Sequence, residues 1–305
     1  MTTATTRPTP IRRYPSASRL DRLLDPLRSM VQRRSLRPLV VRHVDLRDRG
    51  LDLGVRLLLA SDLHARDDWF PREHIAEVVD AINAVEGVDL VTLLGDFVGD
   101  DVEAIHWSAE EYARIDAPTV GVLGNHDHWC DAQLVERVLA ETGGVTMLTN
   151  RALPLADVIG ADRGGATWLA GIDSCWTFKR GNGEGADPAK ALADVPPGAD
   201  TIVLGHEPHL ATLHEHVLHL AGHTHCGQVR LPLLGDWTAR LHMPRYSEPF
   251  PCRLYEVPVE QATPPEPDAR RTTRDERWVY TTAGVGYSTV DVRVFCPPEL
   301  VVIDA

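Results

Sequence analysis

The sequence Gly222-His223-Thr224-His225 stands directly after an apolar run at residues 217–221. The run has the length and composition of a buried β-strand, and the glycine marks the point where that strand turns sharply. In open α/β sheets, ligands bind at the carboxyl ends of the strands, where loops gather side chains from distant positions. Two imidazoles at such a strand end predict a binding site.

Four further strand ends present polar side chains in the same way. Apolar runs at residues 55–60, 88–94, 119–123 and 201–204 are each followed within a few positions by Asp, Asn or His. The five ends together offer two carboxylates, one amide oxygen and four imidazoles, which belong to Asp62, His64, Asp96, Asn125, His206, His223 and His225. We expect these seven side chains to lie in one place, because the carboxyl ends of such strands gather at one edge of the fold.

This mixture of donors indicates a metal site. Imidazole and carboxylate together suit manganese, iron or zinc, whereas a shell made only of oxygen would favour magnesium or calcium. Two cations about 3.5–4 Å apart can bind a phosphoryl oxygen, acidify a bridging water and stabilise charge during an in-line displacement. The sequence therefore predicts two divalent transition-metal ions that serve the hydrolysis of phosphate esters.

From residue 39 onward, strand-like and helix-like segments alternate, which predicts one α/β domain with a mixed sheet. An apolar stripe with helical spacing between Pro71 and Gly87 predicts one helix. A second stripe predicts a helix that begins after Asp131, a residue well suited to cap it, and ends before Gly143. We assign residues 38–305 to this domain and residues 1–37 to a separate extension.

The charge of the chain is unevenly distributed. The formal net charge is −13, yet residues 1–37 contain nine arginines and two aspartates, which leaves about −20 on the remainder. An acidic body disfavours binding to nucleic acid, which depends on the neutralisation of phosphates. The charge therefore disfavours nucleic acid as the partner. For the predicted metal site we expect a small-molecule or lipid-linked phosphate ester as the substrate.

The extension is rich in Pro and Arg and contains a short amphipathic segment. Its apolar residues recur at helical spacing, and they are Leu20, Leu23, Leu24, Leu27 and Val31. One interpretation is a helix that packs on its own domain or on a neighbouring subunit. The other is a helix that lies on an anionic membrane surface, which would place the protein at the inner face of the membrane. Pro26 weakens a continuous helix in either case.

The five cysteines, at positions 130, 175, 226, 252 and 296, include no C-x-x-C pair. Their odd number and scattered positions predict reduced thiols in a cytoplasmic protein. No apolar stretch approaches the length of about 18 residues that spans a bilayer. Arg12-Arg13 is not followed by the apolar region of a twin-arginine export signal. The expected location is therefore the cytoplasm.

The polar clusters resemble the motifs of the calcineurin-like metallophosphoesterases, which are D-x-H, GD, GNH[DE], GH and GHxH. They occur here as Asp62-x-His64, Gly95-Asp96, Gly124-Asn125-His126-Asp127, Gly205-His206 and Gly222-His223-Thr224-His225. The segments 228–232 and 282–300 are similar to those of the small bacterial YkuE/YaeI-like branch. The resemblance covers about residues 39–305 and implies a sandwich of two mixed β-sheets flanked by helices.

The resemblance also implies a role for each motif residue. One metal ion would be bound by Asp62, His64, Asp96 and His225, and the other by Asp96, Asn125, His206 and His223. Asp96 would bridge the two ions, and a bridging hydroxide would attack phosphorus. His126 would contact the phosphate and protonate the leaving oxygen, while Asp127 would fix the orientation of that imidazole.

The leading hypothesis is a dinuclear-metal-dependent hydrolase of phosphate mono- or diesters. One alternative is a nuclease of the same superfamily, which the acidic body disfavours unless the basic extension guides the strand. Another is a non-catalytic scaffold that uses the fold to bind protein. Loss of metal ligands would mark such a scaffold, and all seven are present here.

Several residues near the motifs have no counterpart among the implied ligands. Cys226 stands where the branch commonly has glycine, and we expect it to be a buried, inert cysteine. His214 and His216 match no ligand position and are expected to face solvent. His219 likewise matches none, and a place for His209 or His128 in the pocket stays open.

Overall fold

The computed structural model describes residues 8–10, 31–33, 36, 38–177, 185–230, 248–258, 274 and 276–305. The amphipathic positions from Leu20 to Leu27 lie outside the described residues. Val31 lies in a β-strand.

Two mixed sheets and a two-stranded ribbon contain the strands of the described chain. In chain order these are β1 (Pro8–Pro10), β2 (Val31–Arg33), β3 (Val40–Asp45), β4 (Arg56–Ala60), β5 (Leu90–Leu93), β6 (Thr119–Gly121), β7 (Thr146–Met147), β8 (Arg151–Pro154), β9 (Trp168–Ile172), β10 (Thr201–Gly205), β11 (Leu218–Ala221), β12 (Arg253–Pro258), β13 (Glu276–Thr281), β14 (Val292–Val294) and β15 (Glu299–Asp304).

The described helices fall mainly in the first half of the chain. The α-helices are α1 (Arg72–Asn83), α2 (Ala104–Tyr112), α3 (Asn125–Cys130), α4 (Ala132–Glu141), α5 (Ala156–Ile159), α6 (Ala161–Gly164) and α7 (Pro188–Ala191). The 3-10 helices are Arg47–Arg49, Pro208–Leu213 and His225–Gly227.

The strand order explains how distant loops meet. The first sheet has the order β1-β3-β15-β4-β5-β6-β7, and the second has the order β12-β13-β11-β10-β9-β8. Strands β4, β5 and β6 run parallel to one another, as do β10 and β11. The five strand ends predicted to carry polar side chains therefore open at one edge of each sheet.

The two sheets pack face to face, as the alternation of side chains along β4 shows. Leu57 and Leu59 point into a core shared with Leu204 and Leu220 of the second sheet. Leu58, between them, faces the core under the helices. This alternation is expected of a central strand that is covered on both sides. The predicted sandwich of two mixed sheets flanked by helices is thus confirmed.

Both predicted helices are present. Helix α1 begins after Pro71, and its buried side chains form one apolar face. Helix α4 begins after Asp131, whose Oδ1 accepts a hydrogen bond from the backbone N–H of Leu134 at 3.1 Å. That bond satisfies one of the free N–H groups in the first turn of the helix.

Two strands of the N-terminal extension pair with strands of the domain. Strand β1 lies antiparallel to β3. Strand β2 lies antiparallel to β14, so that Val31 is opposite Val294.

Cys226 and Cys252 form a disulfide, and the expectation of five reduced thiols is therefore wrong. The loop after β11 lies beside the start of β12, which brings the two Cα atoms to 4.8 Å despite a separation of 26 residues in sequence. Cys226 is buried as expected, but it is covalently paired. The cysteines therefore no longer indicate a reducing compartment. None of the described helices is long and apolar enough to cross a membrane.

Candidate metal centre

Loops of the first sheet bring four of the predicted side chains together. Asp62 and His64 follow β4, Asp96 follows β5, and Asn125 follows β6 at the start of α3. All four are buried, with at most 3% of their surface exposed. The backbone N–H of Asp62 donates to the carbonyl of Gly95 at 3.0 Å, which joins the first two loops directly.

Loops of the second sheet supply the other three. His206 follows β10, while His223 and His225 follow β11. The backbone N–H of His223 lies 3.0 and 3.1 Å from the two carboxylate oxygens of Asp62. The carboxylate of Asp62 therefore connects the two sheets at the point where their loops meet.

The donor atoms of five of these residues converge. The Nε2 atom of His225 lies 3.3 Å from Asp62 Oδ1 and 3.1 Å from His64 Nε2. Asp96 Oδ2 lies 3.5 Å from His64 Nε2 and 3.3 Å from His206 Nε2. Asp96 is thus the one carboxylate placed between His64 on one side and His206 on the other.

Asn125 and His223 complete the group. The rings of His206 and His223 lie with their centroids 5.0 Å apart. Among the described residues, Asn125 Oδ1 and His223 Nε2 are buried atoms that have no hydrogen-bond partner. Buried polar atoms of this kind are rare in proteins, and a bound cation would satisfy them. The site therefore fits metal ions in both its donor types and its unsatisfied atoms.

The backbone at the site is strained. Five of the seven predicted residues adopt the left-handed conformation, with φ between 46° and 67°: Asp62, His64, Asp96, His223 and His225. Each such residue costs about 1–3 kcal/mol, and this cost is found mostly at functional sites. The conformation lets a short loop turn its side chain back toward the strand ends.

The electrostatics of the carboxylates favour their ionised form. Burial opposes the ionisation of Asp62, but the imidazoles of His225 and His206 outweigh this effect and lower its pKa. Burial likewise opposes the ionisation of Asp96, and its imidazole neighbours, His206 foremost, hold its pKa well below the usual range. Ionised carboxylates are the form that binds metal.

The imidazoles divide into two kinds. Burial lowers the pKa of His64 and lowers that of His223 to about 3, so both are neutral and keep a lone pair for a metal ion. Burial acts in the same direction on His206, but Asp96 outweighs it and raises the pKa of that ring. In the absence of a metal ion, a proton on His206 thus balances the charge of Asp96.

His126 lies at the edge of the site, and its ring stands at right angles to that of His64, with a centroid separation of 4.6 Å. The expectation that Asp127 orients this imidazole is wrong. Asp127 instead accepts hydrogen bonds from the backbone N–H groups of Phe97 (2.9 Å), Val98 (3.2 Å) and Gly124 (2.8 Å). From the first turn of α3, its carboxylate thus accepts from the N-cap residue Gly124 and from two residues of the loop after β5.

The orientation of His126 comes from the loop after β5. Its Nδ1 lies 3.0 Å from the carbonyl oxygen of Gly99, and Asp100 Oδ1 lies 3.9 Å away. Because the carbonyl can only accept, Nδ1 carries a proton and Nε2 is free to face a substrate.

One residue of the C-terminal segment, Arg293, contacts a predicted metal ligand, and the sequence motifs do not reveal this contact. Arg293 is fully buried, and its Nη2 lies 3.2 Å from Nδ1 of His225. The same guanidinium donates to the carbonyls of Ala283 and Gly286. The arginine therefore fixes the His225 ring against the loop after β13.

Two glycines leave no space around Asp62. A Cβ atom on Gly222 would lie 1.9 Å from Ser61 Oγ and 2.5 Å from Asp62 Oδ2. A Cβ atom on Gly284 would lie 2.7 Å from the Cβ of Asp62, and its φ of +66° disfavours other residues independently. The backbone can approach the carboxylate this closely only with glycine at both positions.

The remaining histidines have other partners. His214 and His216 are buried, so the expectation that they face solvent is wrong. They precede β11. His214 Nε2 lies 3.0 Å from His219 Nδ1, and Arg277 donates a hydrogen bond to the carbonyl of His214. His128 and His209 stand outside the converging donors. They contact Asp173 and Glu248, each at 2.7 Å.

Comparison with known proteins agrees with this geometry. The family model for calcineurin-like phosphoesterases matches residues 55–227. Phosphodiesterase YaeI of Escherichia coli is 29% identical over 260 residues, which cover 82% of this chain and 81% of the relative. The uncharacterized metallophosphoesterase YkuE of Bacillus subtilis is 27% identical over 262 residues, or 83% of this chain and 79% of the relative.

A longer relative occurs in zebrafish. The transmembrane protein with metallophosphoesterase domain of Danio rerio is 29% identical over 258 residues, which cover 81% of this chain and 52% of the relative. The chain thus spans about half the length of the zebrafish protein.

Proposed function

The chain belongs to the calcineurin-like phosphoesterase family and is a metal-dependent phosphoric ester hydrolase, and we propose that two divalent transition-metal ions serve its reaction. The observation that carries this proposal is the position of Asp96 Oδ2 between two imidazole nitrogens, one on each side. A single carboxylate with donors on both sides is suited to hold two cations close together.

We assign the donors to two sets that share Asp96. The first set is Asp62, His64, Asp96 and His225, and the second is Asp96, Asn125, His206 and His223. The contacts among Asp62, His64 and His225 support the first set. The unsatisfied atoms of Asn125 and His223 support the second. Four imidazoles favour manganese, iron or zinc over magnesium.

When bound, the two ions supply Lewis-acid activation of a phosphoryl oxygen and of the attacking water. The protein holds the donors in place through the strained loops. His126, fixed by its Nδ1–H bond to Gly99, would present Nε2 to the leaving oxygen and, when both ring nitrogens carry a proton, donate the proton of Nε2 to it. Asp127 would contribute indirectly, because it fixes the loop after β5 and the start of α3.

The acidic surroundings favour a phosphodiester over a phosphomonoester. A diester carries one negative charge, whereas a monoester carries nearly two at neutral pH. Asp100 stands exposed beside His126, and Arg66 is already paired with Asp68 and Asp100. The name of the E. coli relative, a phosphodiesterase, points the same way. We therefore propose a small-molecule diester as the substrate, processed by the domain at residues 38–305.

The test has two stages. Elemental analysis of the purified full chain should find about two transition-metal ions per molecule. Hydrolysis of bis(4-nitrophenyl) phosphate is then compared with that of 4-nitrophenyl phosphate, which has the same leaving group. We expect the diester to react faster. A faster monoester would overturn the diester assignment alone, while no hydrolysis of either after loading with manganese, iron or zinc would overturn the proposed function.

A further inference from the structure

A second polar constellation lies outside the metal centre. Cys175, in the loop after β9, has its Sγ 3.2 Å from Nε2 of His209. Nδ1 of His209 lies 2.7 Å from Oε1 of Glu248. The three residues come from separate parts of the chain, since His209 belongs to the 3-10 helix Pro208–Leu213 and Glu248 precedes β12.

The chemistry of Glu248 fixes which atom donates in each of these two hydrogen bonds. The carboxylate of Glu248 only accepts, so the neutral ring of His209 carries its proton on Nδ1 and has a lone pair on Nε2. That lone pair faces the thiol of Cys175 and accepts its S–H. A nucleophile, an imidazole and a carboxylate in this order form the arrangement in which a base activates a nucleophile.

Access to the three groups differs in the way that such a centre requires. Glu248 is buried, with 2% of its side chain exposed, while the side chain of His209 is 31% exposed. Cys175 is half-buried and reduced. The cysteine and the imidazole are therefore only partly buried, while the carboxylate behind the imidazole is shielded from water.

The thiol is protonated at rest. Burial raises its pKa, and the nearby carboxylates of Glu207 and Glu248 act in the same direction. The hydrogen bond that His209 donates to Glu248 raises the pKa of His209, although burial opposes it. Attack by the sulfur thus requires transfer of its proton to the imidazole.

We propose that Cys175, His209 and Glu248 form a thiol nucleophile with its own base, which reacts with uncharged soft electrophiles. In the reaction the sulfur forms a bond to the electrophilic carbon, the leaving group departs with its electron pair, and the thiol proton passes to Nε2 of His209. The two carboxylates beside the sulfur disfavour anionic reagents. This centre shares no residue with the seven predicted metal ligands.

Alkylation of the metal-loaded full chain by iodoacetamide, without added reductant, tests the proposal. Peptide mass spectrometry gives the rate at each cysteine separately. Cys130 is an internal reference, because it is also reduced and half-buried and its Sγ donates to the carbonyl of Gly99 at 3.6 Å. We expect Cys175 to react faster than Cys130, and more slowly with iodoacetate than with iodoacetamide.

Substitution of the base sharpens the test. His209→Gln should lower the rate at Cys175 by roughly 10²-fold, as expected on loss of a positioned base, and leave the rate at Cys130 unchanged. His106→Gln, on the exposed face of α2, is the matched control and should change neither rate. An unchanged rate at Cys130 also shows that the His209 variant is folded.

The pH profile separates base assistance from simple exposure. The rate at Cys175 should level off above the pKa of His209, and this plateau should be absent from the His209→Gln variant. Equal rates at the two cysteines, no effect of His209→Gln, or a profile at Cys175 that follows thiol ionisation would each overturn the proposal.

Discussion

Two groups of histidines, buried except for the partly exposed His223, lie in or next to strands of this molecule, and we propose that they do different things. The metal-facing group is His64, His206, His223 and His225. The histidine cluster is His219, which lies within β11, together with His214 and His216, which precede that strand. The rings of His64, His206 and His225 face the carboxylates of Asp62 and Asp96, and the ring of His223 lies against that of His206. In the second group, His214 and His219 contact each other at 3.0 Å, and backbone groups supply further partners.

Residue type and burial therefore do not distinguish a ligand from a structural histidine. The difference lies in the backbone and in the carboxylates. Three members of the metal-facing group have positive φ, whereas none of the histidine cluster does. Strain is present where the loops must turn donors toward one point, and it is absent where imidazoles serve packing.

The largest effect that would test this contrast is loss of the shared carboxylate. Asp96→Asn should lower the metal content of both sites and abolish hydrolysis, because one side chain serves both ions. Asn125→Ala should mainly empty one site. Asp173→Asn is the matched control, since Asp173 is equally buried but contacts His128. Elemental analysis with two ions retained in Asp96→Asn would contradict the shared assignment.

His126 offers the next largest effect. His126→Gln should retain both metal ions and lower turnover by about 10²–10⁴, the usual range for a positioned general acid. The loss should be larger for an alkyl ester than for a nitrophenyl ester, because a good leaving group needs little protonation. Loss of metal in this variant, or equal deficits for both esters, would show that the ring has a different role.

The histidine cluster should affect stability and leave the metal centre intact. His219→Gln removes the contact with His214 and should lower the free energy of unfolding by about 1–3 kcal/mol at pH 8, with metal content unchanged. Urea denaturation measures the first quantity and elemental analysis the second. A loss of metal ions from His219→Gln would show that the histidine cluster also supports the metal centre, and would contradict the distinction between the two groups.

The smallest effect is the pH dependence of the difference in unfolding free energy between the wild type and His219→Gln. Burial lowers the pKa of His219 to about 3, whereas the unfolded value is about 6.5. Its stabilising contribution is therefore complete above pH 6.5 and is lost as the pH falls toward 3. The gap in stability between wild type and His219→Gln should narrow below pH 6.5, by at most about 1.4 kcal/mol per pH unit. A gap that stays constant from pH 8 to 5 would contradict a buried neutral ring.

Much of the fold could be predicted from sequence because it rests on local patterns. The apolar runs that end in Gly-Asp, Gly-Asn or Gly-His are the strands β5, β6, β10 and β11, and the run before Ser61-Asp62 is β4. The N-cap Asp131 also acts locally. All seven side chains chosen from those strand ends lie at one edge of the sandwich.

The errors concern contacts between distant segments. The disulfide joins Cys226 to Cys252, and the spacing of the cysteines in the sequence does not predict it. The burial of His214 depends on Arg277, which arrives from β13. The position of Asp127 depends on N–H groups of the loop after β5. Each of these partners is fixed only when the two sheets have come together.

The close approach of Gly222 and Gly284 to Asp62 has a consequence for how this protein can adapt. Neither position accepts even a methyl group without displacing the carboxylate or its neighbours. The innermost layer of the site is therefore inherited as a fixed unit, and single substitutions there remove function before they can alter it. We expect new substrate preferences to arise further out, for instance around Arg66 and Asp68, whose side chains meet solvent.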